Sequence, residues 1–123
     1  MRALIIDDSR AMCLILTRIL ADLAFETEEA AHGREALERV ERGGPFDVIM
    51  VDWNMPEMNG YDFVVALRAK PEHRRVPVVM VTTETETAKM ARALEAGATE
   101  YVMKPFTREV IREKLDLLQI VPA

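Results

Sequence analysis

Val48-Ile49-Met50-Val51-Asp52, running on into Trp53-Asn54-Met55-Pro56, decides how this chain is read: an unbroken apolar run that stops on a carboxylate. It is too short for a helix and lacks the alternation of a half-exposed strand. Such a run suits a strand buried on both faces, as in a parallel sheet. The same texture recurs at Ala3–Ile6, which stops on Asp7-Asp8, at Val76–Val81, which stops on Thr82-Thr83, and at Tyr101–Met103, which stops on Lys104-Pro105.

Longer segments with helical spacing lie between these runs. Met12, Ile15, Leu16, Ile19, Leu20 and Leu23 share one face after Ser9, a candidate cap. Ala36, Leu37 and Val40 repeat the pattern until Gly43-Gly44-Pro45 ends it, and Phe63, Val64 and Leu67 form a third face that stops before Pro71. Ala88, Ala91 and Leu94 predict a fourth helix closed by Gly97, and Val110, Ile111, Lys114, Leu115 and Leu118 a fifth opened by Thr107. Phe25–Ala30 is the least strand-like segment, since it carries Glu26, Glu28 and Glu29; charge of that kind suits a sheet edge. Strand and helix thus alternate five times with short connections. The rhythm predicts right-handed βαβ units and one α/β domain over residues 1–123, its parallel sheet covered by helices on both faces.

Composition bounds the function. The chain has 123 residues, 16 Lys and Arg against 21 Asp and Glu, and a formal charge of −5. Half of it is hydrophobic and 30% is charged, enough for a real core and against disorder. The acidic balance argues against non-specific nucleic-acid binding. One cysteine excludes an internal disulfide and a cysteine-based zinc site. No run approaches a membrane span, and the apolar start is too short for a signal peptide, so a soluble cytoplasmic setting is expected.

In a parallel sheet all strands end on one edge, and ligands bind beyond it. The residues that follow the strands are Asp7 and Asp8, Asp52, Thr82 and Thr83, and Lys104. Clustered carboxylates repel unless a cation intervenes. Oxygen ligands without His or Cys suit a hard divalent ion such as Mg²⁺. A carboxylate can also attack phosphorus and form an aspartyl-phosphate. The metal and the Lys104 ammonium would then neutralise the transferring phosphoryl group, and the Thr82 hydroxyl could donate to one of its oxygens.

With these residues in view, the sequence resembles a response-regulator receiver domain of two-component signalling in its short, CheY-like form. The likeness rests on Asp7-Asp8, on Asp52 within Val-Asp-Trp-Asn-Met-Pro, on Met58-Asn59-Gly60, on Thr82-Thr83 and on Lys104-Pro105-Phe106, and covers essentially the whole chain. It implies a doubly wound (βα)5 flavodoxin-like domain with strand order 2-1-3-4-5. It implies that Asp52 is the phosphoacceptor and that Asp7, Asp8 and Asp52 hold Mg²⁺, with the Asn54 backbone carbonyl added. Lys104 would pair with Asp52 or its phosphoryl group across a cis Lys104-Pro105 bond. Thr82 would be the switch hydroxyl and Tyr101 the aromatic that changes rotamer with it. The implied partners are a sensor histidine kinase or phosphotransfer protein upstream, and downstream a protein that reads the surface of the fourth helix, fifth strand and fifth helix. Dimerisation on phosphorylation is allowed, and activity is limited to self-phosphotransfer and auto-dephosphorylation, so the chain is not expected to be an enzyme on outside substrates. Thr83, where the family often has Ala or Gly, is expected to narrow access to the site. Trp53 is expected to point away from Asp52, and Asn54 and Glu84 stand where the family tunes phosphoryl lifetime.

Several residues take plainer roles. His32 and His73 read as surface loop residues, Arg74-Arg75 as a solvated pair, Cys13 as a core or boundary residue, and the eight methionines as core filling. Two other chemistries compete. A Mg²⁺-dependent phosphohydrolase would want an acid two residues after its aspartyl nucleophile, where this chain has Asn54. A flavin carrier would want a Ser/Thr/Gly phosphate loop after the first strand, where Asp7-Asp8 would repel the phosphate.

Overall fold

The computed structural model describes residues 1–83 and 89–120. The expected alternation is present: β1 (Arg2–Ile6), α1 (Arg10–Asp22), β2 (Glu26–Ala30), α2 (Gly33–Gly43), β3 (Val48–Asp52), α3 (Gly60–Arg68), a 3₁₀ turn at Pro71–His73, β4 (Val78–Thr82), α4 (Met90–Ala96), β5 (Glu100–Met103) and α5 (Arg108–Leu117). The strands form one parallel sheet in the order β2-β1-β3-β4-β5. The polar strand β2 lies at an edge, as its glutamates foretold.

Side chains alternate across the strands and feed two cores. Leu4, Ile6, Ile49, Val51, Val78 and Met80 face α2, α3 and α4, where Ala36, Phe63, Leu67 and Ala93 meet them. Ala3, Ile5, Val48, Met50, Val79 and Val81 face α1 and α5, where Leu16, Leu20, Ile111 and Leu115 complete the second layer. Every residue of β3 and β4 is buried, which is why these strands read as continuous apolar runs.

Helices α1, α2, α3 and α5 begin on side-chain caps. Ser9, Asn59 and Thr107 each accept a backbone N–H three residues on, opening α1, α3 and α5. His32, expected as a plain loop residue, does the same for α2: its Nδ1 accepts from the Glu35 N–H. Gly97, at φ 124°, closes α4 as expected.

Three expectations need correction. In α4 the buried residues are Met90 and Ala93, while Ala91 and Leu94 face solvent; Ala88 lies outside the described residues. Alanines on several sides of a seven-residue helix give weak periodicity, and Met90 decides the face. In α1 the buried stripe is Cys13, Leu16 and Leu20, and Ile15 is 47% exposed. The fourth strand starts at Val78 rather than Val76: Pro77 has no N–H to donate, and its carbonyl accepts from Ile49 instead.

Candidate functional site

The carboxyl edge of the sheet brings the expected residues together. β1 runs directly into Asp7, whose backbone N–H bonds to Ala30 at the end of β2. Asp7 Oδ1 accepts from the Ser9 N–H at 2.9 Å, which turns the chain into α1. Asp52 is the last residue of β3. Thr82 is the last residue of β4, and its carbonyl accepts the Lys104 N–H, which fixes the start of the β5–α5 connection. The Lys104-Pro105 bond is cis, as expected; a second cis bond, Gly44-Pro45, was not foreseen.

The side chains converge accordingly. Carboxylate oxygens of Asp7, Asp8 and Asp52 lie within 4.8 Å of one another. Lys104 Nζ donates to Asp52 Oδ1 at 2.9 Å and stands 4.0 Å from Asp7 Oδ2. Asp7 and Asp52 are buried, whereas Asp8 opens to solvent. Among the described residues, these three carboxylates and one ammonium carry a formal charge of −2, which one divalent cation would balance.

Asp7 carries the clearest electrostatic mark. Burial pushes its carboxyl above the ordinary value; the Ser9 N–H and Lys104 oppose this, and Asp8 adds to it. Its Oδ2 is buried and makes no hydrogen bond among the described residues. A buried carboxylate oxygen without a donor, facing two further carboxylates, is a donor set suited to a hard cation.

Thr82 is fully buried and its Oγ1 donates to the Thr83 carbonyl at 3.3 Å. Tyr101 is half-buried and packs on the α2–α3–α4 core. Met80 pairs with Tyr101 in the sheet, so period-2 alternation puts Thr82 and Tyr101 on that same face. Asn54 is exposed two residues past Asp52. Trp53 is buried against Tyr61, with ring centroids 6.2 Å apart. Cys13 is buried, donates to the Asp7 carbonyl, and has its thiol pushed up to about 11 by burial, so it is a poor nucleophile. Glu84 lies outside the described residues.

Two features escaped the sequence reading. Arg10 joins Asp7, Asp8, Cys13 and Glu29 in lining a cleft of about 370 Å³ beside the acids. Lys114 forms an ion pair with Glu100 and stands over the Tyr101 ring. For Lys114 a signal existed: a lysine in register with the apolar stripe of the fifth helix.

Comparison with known proteins agrees with this geometry. Residues 3–116 match the response regulator receiver domain family. The chain is 42% identical over 119 residues to the chemotaxis protein CheY1 of Helicobacter pylori, covering 96% of each. It is 42% identical over 117 residues to the chemotaxis protein CheY of Pseudomonas aeruginosa, covering 94% of each. Its fold superposes on the chemotaxis response regulator CheY4 of Vibrio cholerae with a TM-score of 0.88 at 38% identity, over 95% of this chain and 97% of that one. It also superposes on the receiver domain of a P. aeruginosa sensor histidine kinase, with a TM-score of 0.85 at 27% identity over 94% of each; that protein holds magnesium in its active-site cleft. The flavodoxin-like sheet, the acidic rim and these likenesses agree, and the chain belongs to the response-regulator receiver domains of two-component signalling.

Proposed function

We propose that this chain is a phosphorylation-controlled switch whose phosphoacceptor is Asp52. The observation that carries the reading is the meeting of Asp7, Asp8 and Asp52 within 4.8 Å, with Lys104 Nζ 2.9 Å from Asp52 Oδ1. Asp7, Asp8 and Asp52 would hold Mg²⁺, with the Asn54 backbone carbonyl as a further ligand. When bound, the ion supplies charge neutralisation at the phosphoryl oxygens.

The chain's own residues do the rest. An Asp52 carboxylate oxygen attacks the phosphorus of a phosphohistidine on a histidine kinase or phosphotransfer protein, or of a small phosphodonor. An O–P bond forms, the donor's bond to phosphorus breaks, and the donor leaves with that electron pair. Lys104 remains within reach of the product, which carries nearly two negative charges. Thr82 turns its hydroxyl toward the phosphoryl group, and Tyr101 moves into the space released. The α4–β5–α5 surface then changes, and a downstream protein reads it. Phosphorylation shifts the population between two conformers, with a coupling of about 1–3 kcal/mol, as is usual for such switches. The chain acts on no outside substrate: its chemistry is phosphotransfer to itself and loss of that group. It works in the cytoplasm, where kinase and target are found; no described helix is long and apolar enough to cross a membrane.

Trp53 is the only tryptophan and immediately follows Asp52, so its fluorescence reports on the site. A small acyl phosphate with Mg²⁺ is expected to change that fluorescence in the wild type and to leave Asp52→Asn unchanged, with both proteins folded by circular dichroism. An equal response from Asp52→Asn would overturn the assignment.

A further inference from the structure

Tyr101 is held from above by a charge. Lys114 projects from α5 with its side chain only 27% exposed, and its Nζ stands 5.0 Å from the centroid of the Tyr101 ring. Glu100, on the strand residue next to Tyr101, fixes that ammonium: its Oε1 lies 3.4 Å from Lys114 Nζ and accepts the Tyr101 N–H at 2.9 Å. One carboxylate oxygen therefore anchors both the ammonium and the backbone of the residue it covers. The ring is gripped between this cation and the α2–α3–α4 core on which it packs. A cation over an aromatic face resists any movement of the ring that breaks the contact, and partial burial spares it from full screening by salt.

In the same conformer Thr82 Oγ1 donates to the Thr83 carbonyl. The grip thus acts on the conformer in which the Thr82 hydroxyl is engaged with the Thr83 carbonyl. We propose that the Glu100–Lys114 pair is a positioning device that holds Tyr101 in this conformer and so sets how readily the domain passes to its phosphorylated one. The inference rests on the reading of Asp52, Thr82 and Tyr101 given above and adds two residues to it. Neither touches the reacting atoms; both act through Tyr101.

The device has a thermodynamic consequence. If only a fraction of molecules occupies the competent conformer, the apparent affinity for a phosphoryl group or its analogue is lowered by that fraction. Releasing the grip raises the fraction. A cation–aromatic contact of this class shifts such a balance by about three- to fivefold.

The test uses the whole chain with Mg²⁺ and beryllium trifluoride, an analogue of the phosphoryl group, titrated by Trp53 fluorescence. Lys114→Met keeps the aliphatic stem and loses the charge; it is expected to tighten the analogue about three- to fivefold. Lys114→Arg, which keeps a cation over the ring, is expected to restore wild-type affinity. In a Tyr101→Ala background the Lys114→Met effect is expected to vanish. With fluorotyrosine at the two tyrosines, Lys114→Met is expected to move the Tyr101 resonance toward its analogue-saturated position and to leave Tyr61 in place. Unchanged or weaker binding in Lys114→Met, or an equal gain in the Tyr101→Ala background, would overturn the device while leaving the phosphoacceptor reading intact. A wild type that ignores the analogue, or an Asp52→Asn variant that binds it equally well, would overturn both.

Discussion

Burial of the Asp7 carboxyl raises its proton affinity in the folded chain, and the sign of the consequence follows from linkage. Between the ordinary value of 3.8 and the raised one, the folded state binds more protons than the unfolded. Stability of the metal-free domain therefore falls as pH rises through that window, and the penalty is fully present above it. Asp7→Asn removes the buried charge. In chelator it is expected to raise the melting temperature at neutral pH, with a gain that shrinks as pH is lowered toward 3.8. The same variant is expected to bind Mg²⁺ more weakly. Thermal scans across pH and a Mg²⁺ titration check both halves, and a variant less stable than wild type at neutral pH would count against the assignment. Asp7, Asp8, Asp52, Thr82 and Lys104 were legible in the sequence because strand ends are, and a parallel sheet leaves little freedom about where strand ends meet. Arg10 was not, because a helix's first residue takes its direction from the turn before it. The His32 cap was also missed, since an imidazole nitrogen seldom fills a position that Ser, Thr, Asp and Asn dominate.

At the scale of elements, the β3–α3 connection decides how accurately Asp52 is held. Asn59 caps α3, and the Gly60 N–H bonds back to the Trp53 carbonyl at 2.9 Å. A Cβ at Gly60 would lie 2.7 Å from the Asp52 carbonyl oxygen and 3.2 Å from the Trp53 Cα, both backbone atoms that cannot rotate aside. Gly60→Ala is therefore expected to displace Asp52, the proposed phosphoacceptor. The cost should be about 1–3 kcal/mol in urea unfolding, accompanied by slower phosphoryl uptake. Wild-type uptake in that variant would show that the loop tolerates the shift without moving the site. Five helices and five strands were legible from periodicity, but the buried face of α4 was not. Its alanines bury little area on any side, so their spacing says little, and one methionine outweighs them.

At the scale of the whole molecule, the two apolar layers hold five strand ends in fixed register, and the site is a property of that register. No pair among Asp7, Asp52 and Lys104 is close in sequence, yet Lys104 reaches both carboxylates. The fold class could be read because continuous apolar runs and short connections admit few topologies. The Glu100–Lys114 grip could not, since it depends on how α5 is rotated against β5, which only packing determines. Chemical mapping of the phosphoryl group after incubation with Mg²⁺ and a small acyl phosphate identifies the acceptor residue itself. Asp52 is predicted to carry the label, with none in chelator and none in Asp52→Asn. A label on any other residue, or one that forms equally well without a divalent ion, would contradict the account.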